Sequence, residues 1–147
     1  MALYNFGAAR SEAQLADMKD LDGRGICIFC PEHIREDKNK LVLETEYWMV
    51  KPNSFPYKNT KLHLLIIPKA HVPTINELPA KAQNLFLSVV AQLEKTYKLD
   101  SYAIGMRAGD MRYNGGSIEH LHAHLVVGDT DMAEFEPVRF KMSSRID

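Results

Sequence analysis

His120-Leu121-His122-Ala123-His124, running into Leu125-Val126-Val127, alternates an imidazole with a small or apolar side chain, which is the two-residue period of a β-strand. On such a strand all three rings project from one face. The opposite face carries Leu121, Ala123, Leu125 and Val127, an apolar row that anchors the strand on a core while the histidines face a cleft. Three of the chain's six histidines in register make a merely solvated strand edge the weakest reading. Two chemical uses stay open. Neutral imidazoles two apart can share a metal ion. Alternatively one ring attacks while its neighbours donate hydrogen bonds to the group attacked, which suits a phosphorus centre ringed by anionic oxygens.

The residues leading into this strand favour the phosphate use. Gly109-Asp110-Met111-Arg112-Tyr113-Asn114-Gly115-Gly116-Ser117 reads as a loop whose glycines let backbone amides approach an anion. Ser117 adds a hydroxyl donor, and Arg107 or Arg112 a positive charge. Asn-Gly-Gly is also an ordinary reverse turn; its place just ahead of the histidine row is what gives it weight.

Cys27-Ile28-Phe29-Cys30 is the second constellation. Two cysteines separated by two residues can place both sulfurs on one tetrahedral ion, but two further ligands are needed. His33, three positions on, is a third ligand by proximity or simply a surface residue of a short turn. A plain reduced pair and a redox disulfide are the competing readings. With only two cysteines in the chain, the expected compartment is the reducing cytoplasm.

A chain of 147 residues is expected to form a single globular domain. Its net charge of −1 argues against an extended nucleic-acid-binding face, so any nucleotide contact is local. No apolar run is long enough for a membrane span, and no secretory leader is evident. The element order reads as α+β, with a mainly antiparallel sheet and one long helix. Residues 1–26 form an N-terminal arm whose short helix opens at the capping box Ser11-Glu12-Ala13-Gln14 and runs to about Lys19; residues 27–147 form the main body. Strands are expected over Leu41–Thr45, Tyr47–Val50, Leu62–Ile67, Ser101–Met106 and the triple-histidine segment, with a last one over Val138–Met142. The long helix runs from Pro79 to about Tyr97, with Leu85, Val89, Leu93 and Tyr97, flanked by Ala82, Phe86 and Val90, as its apolar stripe.

His120 to Val127 matches the His-φ-His-φ-His-φ-φ signature of the histidine triad (HIT) superfamily of nucleotide hydrolases and transferases, and on this motif the chain resembles that family. Leu62 to His71 is similar to the family's strand ending in Pro-Lys-x-His. Asn53-Ser54-Phe55-Pro56-Tyr57 is similar to the Asn-x-x-Pro-Tyr segment of the branch that handles diadenosine tetraphosphate. The resemblance covers about residues 27 to 128 and implies a HIT-like fold and a homodimer. It implies that His122 attacks the α-phosphorus of a nucleotide to form a covalent nucleotidyl-imidazole. It further implies that His124 faces the reacting oxygens, His63 lines the site and Ser117 binds the phosphate, with Gly115, Gly116 and Arg107 around it. Gly109 and Gly116 stand where many hydrolase members carry an asparagine or glutamine. Galactose-1-phosphate uridylyltransferases and some triad proteins resemble this chain in pairing Cys-x-x-Cys with a downstream histidine and the first triad histidine. That implies a structural zinc on Cys27, Cys30, His71 and His120.

Asn53 either holds a ribose hydroxyl, as the resembling branch implies, or stabilises its own turn. Ile28, Phe29, Trp48 and Phe55 flank a purine or belong to the core; Lys58, Lys61 and Lys69 meet distal phosphates or form a solvated face. The resulting expectation is hydrolysis or transfer at the α-phosphate of an adenine nucleotide, a dinucleoside polyphosphate first and an adenosine phosphoramidate second. A metal-dependent hydrolase using the triad itself, and a nucleotide-binding protein without turnover, are the alternatives. Because His122 must be neutral to attack, activity is expected to fall as pH drops through about 6 to 7.

Overall fold

The computed structural model describes residues 2–35 and 40–145. Its strands are β1 (Leu43–Glu44), β2 (Trp48–Pro52), β3 (Thr60–Pro68), β4 (Ala103–Arg107) and β5 (His122–Gly128). They form one antiparallel sheet in the order β1-β2-β3-β5-β4. The helices are α1 (Glu12–Gly23), α2 (Pro31–Ile34), α3 (Ala80–Tyr97) and α4 (Met111–Asn114). The α+β expectation of a mainly antiparallel sheet with one long helix therefore describes the molecule, and no helix among the described residues is long and apolar enough to cross a membrane.

Alternation along the strands sorts the sheet into two faces. Trp48, Val50, Leu64, Ile66, Leu121, Ala123 and Leu125 face α3, whose Ala82, Val89, Val90 and Leu93 complete the main core. Trp48 is wholly committed there, with its indole N–H donating to the Ala82 carbonyl at 2.9 Å, so it flanks no ligand. Leu85 falls at the edge of the stripe and is exposed, its expected place being taken by Phe86. The other sheet face carries Met49, Lys51, His63, Leu65, Ile67, His122 and His124, and it is covered by the cysteine turn and the N-terminal arm.

The arm is stitched to the segment that feeds β5. Asn5 N–H donates to the Ser117 carbonyl and Glu119 N–H to the Leu3 carbonyl, both at 2.9 Å. Tyr4 OH donates to the Ile26 carbonyl at 2.7 Å and accepts from Ile28 N–H at 3.2 Å. The capping box closes with Ser11 Oγ accepting from Gln14 N–H at 3.1 Å and Gln14 Oε1 accepting from Arg10 N–H at 2.8 Å. From there α1 runs past the expected Lys19 to Gly23, because Met18 and Leu21 both find a buried place beside Tyr4.

Three local expectations are corrected. The first strand shrinks to Leu43–Glu44. The stretch from Gly109 to Ser117 is not all loop: Asp110 caps α4 by accepting from Arg112 N–H at 2.9 Å, and Arg112 folds back on Asp110, away from the cleft. Val138–Met142 adds no strand; its Lys141 carbonyl accepts from the Arg107 guanidinium at 2.6 Å, so the tail is tied to a side chain instead of to a strand edge. Gly115 makes that crossing possible. It holds a left-handed φ of 73°, and a Cβ there would collide with the Lys141 carbonyl oxygen. Gly115→Ala is expected to lose roughly 1–3 kcal/mol through strain and displacement of the tail. Thermal denaturation should show the midpoint several degrees lower, and an unchanged midpoint contradicts the tie.

Candidate functional site

Register places the histidines. His122 lies opposite Arg107, His124 sits between Gly105 and Leu65, and His63 pairs with Val126. A cavity on this face is lined by His122, His124, Arg107, Asn53, Gly115 and Ser117 together with Ile28, Phe29 and Phe55. His63 stands behind them, buried against His124. Six of the predicted catalytic and substrate-binding residues thus line one cleft, with His63 behind it.

The protons can be placed by following the partners of each ring. His122 Nδ1 is 2.8 Å from the carbonyl oxygen of His120, which can only accept, so Nδ1 carries the hydrogen and Nε2 keeps a lone pair. Burial holds this ring neutral, with its pKa pushed down to about 4. Phe29 meets it edge-on with centroids 5.2 Å apart, fixing its plane. An unprotonated ring nitrogen held in a buried cleft is a nucleophile that needs no prior deprotonation.

A second chain of partners runs through His63. Tyr57 N–H donates to His63 Nδ1 at 3.0 Å, and His63 Nε2 lies 2.8 Å from His124 Nδ1. On the other side of that ring, Arg107 Nε–H donates to His124 Nε2 at 3.3 Å. The Arg107 guanidinium therefore stands against the ring next to His122. An anionic oxygen entering the cleft there would meet that fixed positive charge. Burial and the neighbouring rings hold His124 well below its usual range, and burial with Arg10 and Arg107 lowers His63 to about 4.

The remaining predicted residues divide. Ser117 and Gly115 line the cavity. The Gly116 amide is engaged by Asn114 Oδ1 at 2.7 Å, so its role lies in holding the turn. Asn53 Oδ1 accepts from Phe55 N–H at 2.9 Å, the turn-stabilising contact, while its Nδ2 lies 3.3 Å from His63 Nε2 at the cavity wall. Lys69 is paired with Glu44 at 2.9 Å and does not line the cavity.

Cys27, Cys30, His71 and His120 form a separate group whose ligand atoms all lie within 4.8 Å of one another. Individual spacings are 3.2 Å for Cys30 Sγ to His71 Nδ1, 3.6 Å for Cys27 Sγ to His120 Nδ1 and 3.1 Å between the two Nδ1 atoms. Ligands at zinc distances on a tetrahedron stand roughly 3.3–3.8 Å apart, so the group could hold a metal ion. The tautomers agree. His120 donates Nε2–H to the Pro68 carbonyl at 2.8 Å and His71 donates its own to Glu119 at 2.9 Å, turning both Nδ1 lone pairs onto the cysteines. Burial drives the Cys30 thiol up to about 12 and raises that of Cys27, so the sulfurs stay protonated without a cation to replace their hydrogens. His33 is outside this group, and so are His122 and His124.

Among the cleft residues that sequence reasoning missed are Arg10, Lys51, Tyr57 and Lys141. Lys51 had a readable signal, a lone charge in the apolar strand Trp48-Met49-Val50 on the same side as Met49. Its buried ammonium donates to Ser54 Oγ at 2.9 Å. Arg10 had none, since nothing local links the residue before a helix cap to a strand over a hundred positions away.

Comparison with known proteins agrees with this geometry. The model of the HIT domain matches residues 35–131. The adenosine 5'-monophosphoramidase HNT1 of Saccharomyces cerevisiae is 28% identical over 100 residues, a match spanning 68% of this chain and 61% of the yeast protein's length. An uncharacterized HIT-like protein of Methanocaldococcus jannaschii is 28% identical over 120 residues, covering 78% of this chain and 90% of its own. Among solved structures, a histidine triad nucleotide-binding protein from Candida albicans superposes with a TM-score of 0.58 at 26% identity, covering 76% of this chain and 86% of its own. With the triad strand and the strands beside it inside the matched residues, the chain belongs to the HIT domain family.

Proposed function

We propose that this chain hydrolyses or transfers nucleotides at the α-phosphate, with His122 as nucleophile. The observation that carries the reading is the placement of the His122 proton: Nδ1–H is committed to the His120 carbonyl, so Nε2 is unprotonated in the cleft, with the His124 ring and the Arg107 guanidinium beside it. In the first displacement Nε2 forms a bond to the α-phosphorus while the bond to the leaving group breaks and that group departs with its electron pair. In the second, water or another acceptor attacks the phosphorus, gives up its proton and releases the nucleotide, restoring the free imidazole. His63 positions His124, and Ser117 binds the phosphate. The Asn53 to Tyr57 segment, similar to that of the diadenosine tetraphosphate branch, favours a dinucleoside polyphosphate as substrate. An adenosine phosphoramidate is the second reading, favoured by the similarity to the yeast monophosphoramidase. Incubating the protein with both substrates, with and without chelator, and identifying the products tests this reading. Turnover of either through a nucleotidyl-protein supports it, and turnover abolished by chelation with no adduct returns the reaction to a metal-dependent hydrolase.

The pH dependence is revised from the 6 to 7 expected of an ordinary histidine. Burial disfavours the imidazolium and lowers the His122 pKa to about 4, so the ring stays neutral, and competent, well below pH 6. Single-turnover adduct formation is expected to be level from about pH 8 to 5.5 and to fall only as the pH approaches 4. Half-loss near 6.5 contradicts a buried nucleophile.

Cys27, Cys30, His71 and His120 would hold a structural zinc, which ties the cysteine turn to the residue entering β5 and supplies no step of the reaction. A homodimer is supported by the outer edge of β4, where Ala103 and Ile104 are exposed on a strand paired only to β5 among the described residues. Residues 1–26 act as an arm on a body of 27–147, and the two free cysteines suit a cytoplasmic setting.

A further inference from the structure

The cleft has an apolar wall at Ile28 and Phe29 and a cationic wall opposite. The cationic wall is assembled from three distant parts of the chain. Arg10, in the N-terminal arm, holds its guanidinium carbon 4.5 Å over the Tyr57 ring and donates to the Phe55 carbonyl. The same Tyr57 ring stacks on His124 with centroids 5.2 Å apart, and its hydroxyl accepts from Arg107 at 2.7 Å. Arg107 in turn grips the Lys141 carbonyl, which draws the tail and its lysine to the cleft.

The charges do not balance within the wall. Arg10, Lys51, Arg107, Arg139 and Lys141 all line the cavity, and Asp17 is the one carboxylate there. Arg10 and Arg107 spend their donors on carbonyls, a phenol and ring faces. Arg10 and Arg107 both push the Lys141 ammonium down, after burial, and Arg107 acts likewise on Arg10, which places the three charges within each other's field. Cations gathered in a partly desolvated cleft gain most from a multiply charged anion. Each side chain packs on the next in the order His122, His124, Tyr57, Arg10, so Arg10 lines the cavity at a remove from the nucleophile, where a part of the substrate beyond the reacting phosphate would reach it.

We propose that the N-terminal arm is part of the substrate site and that Arg10, with Arg107 and Lys141, is a specificity-determining clamp selecting leaving groups that carry phosphate over uncharged ones. The inference rests on the reading of the cleft as a nucleotide site. It goes beyond it by assigning leaving-group choice to an arm that lies outside the residues 35–131 matched by the HIT domain.

The test compares wild type, Arg10→Ala and Arg10→Lys on diadenosine tetraphosphate and on adenosine 5'-phosphoramidate. The readout is the ratio of the two kcat/KM values. Arg10→Ala is expected to lower the ratio by about 10–100-fold, the range for a hydrogen-bonded charge, and Arg10→Lys to restore most of it. A general loss of structure would lower both rates and leave the ratio alone, so a ratio within about threefold of wild type overturns the clamp. If wild type turns over neither substrate, the proposed function fails, and the clamp is judged by calorimetric binding of ADP against AMP. Tighter ADP binding that Arg10→Ala erases supports it. Equal affinity for the two, or no binding of either, overturns it.

Discussion

Replacing His122 with alanine is expected to cut turnover by at least about 10⁴-fold while the protein stays folded and still binds nucleotide. A loss of that size corresponds to about 5 kcal/mol of barrier, the scale set by removing the attacking atom of a two-step displacement. Folding is spared because β5 is anchored from its other face: Leu121, Ala123 and Leu125 are fully buried against α3, and none of them touches the cleft. His124→Ala should be milder. It removes the ring that holds the Arg107 guanidinium beside the nucleophile, on the scale of about 10²–10³-fold for one polar group of an oxyanion site, and leaves the nucleophile in place. Steady-state kinetics on both variants, with circular dichroism to verify folding, gives the ordering. An active His122→Ala protein contradicts it.

Loss of the metal group is expected to have the largest effect on stability. The four ligand atoms come from the cysteine turn, the loop after β3 and the segment leading into β5, so an ion there would crosslink three separate parts of the chain. An ion at a thousandfold excess over its dissociation constant stabilises by about 4 kcal/mol, and in a chain of this size each kcal/mol moves the midpoint by roughly 2–4 °C. Cys27→Ser, or removal of zinc from the wild type by a strong chelator, should therefore lower the thermal midpoint by about 10 °C. Turnover per folded molecule should change less, since the group meets His122 through the His120 carbonyl and the edge of the Phe29 ring and supplies no reacting atom. Elemental analysis of protein purified without added metal should return one zinc per chain. A metal-free protein, fully folded and active, contradicts the assignment.

The central part of the fold was legible because its signals are periodic. Thr60–Pro68 and His122–Gly128 carry strand alternation or an unbroken apolar run, and they became the paired central strands. The long helix was legible from its stripe, although Leu85 and Phe86 exchanged places because neighbouring apolar residues on a helix do not say which is nearer the core. What could not be read was chain that takes its conformation from tertiary partners. Val138–Met142 has the composition of a strand, but its Lys141 carbonyl is claimed by the Arg107 guanidinium and the Gly105 backbone is covered by the Phe140 ring. The triad and the cysteine group were legible because ligand and nucleophile types cluster at short spacings. Arg10, Tyr57 and Lys141 were not, since the cleft joins them across most of the length of the chain.

Intact-mass measurement after rapid quench, avoiding acid, tests the claim that His122 is the nucleophile most directly. During turnover of diadenosine tetraphosphate or adenosine 5'-phosphoramidate the protein should gain the mass of one nucleotidyl group transiently, and peptide sequencing should place that group on His122. Turnover with no adduct at any time, or an adduct mapped to any other residue, contradicts the account.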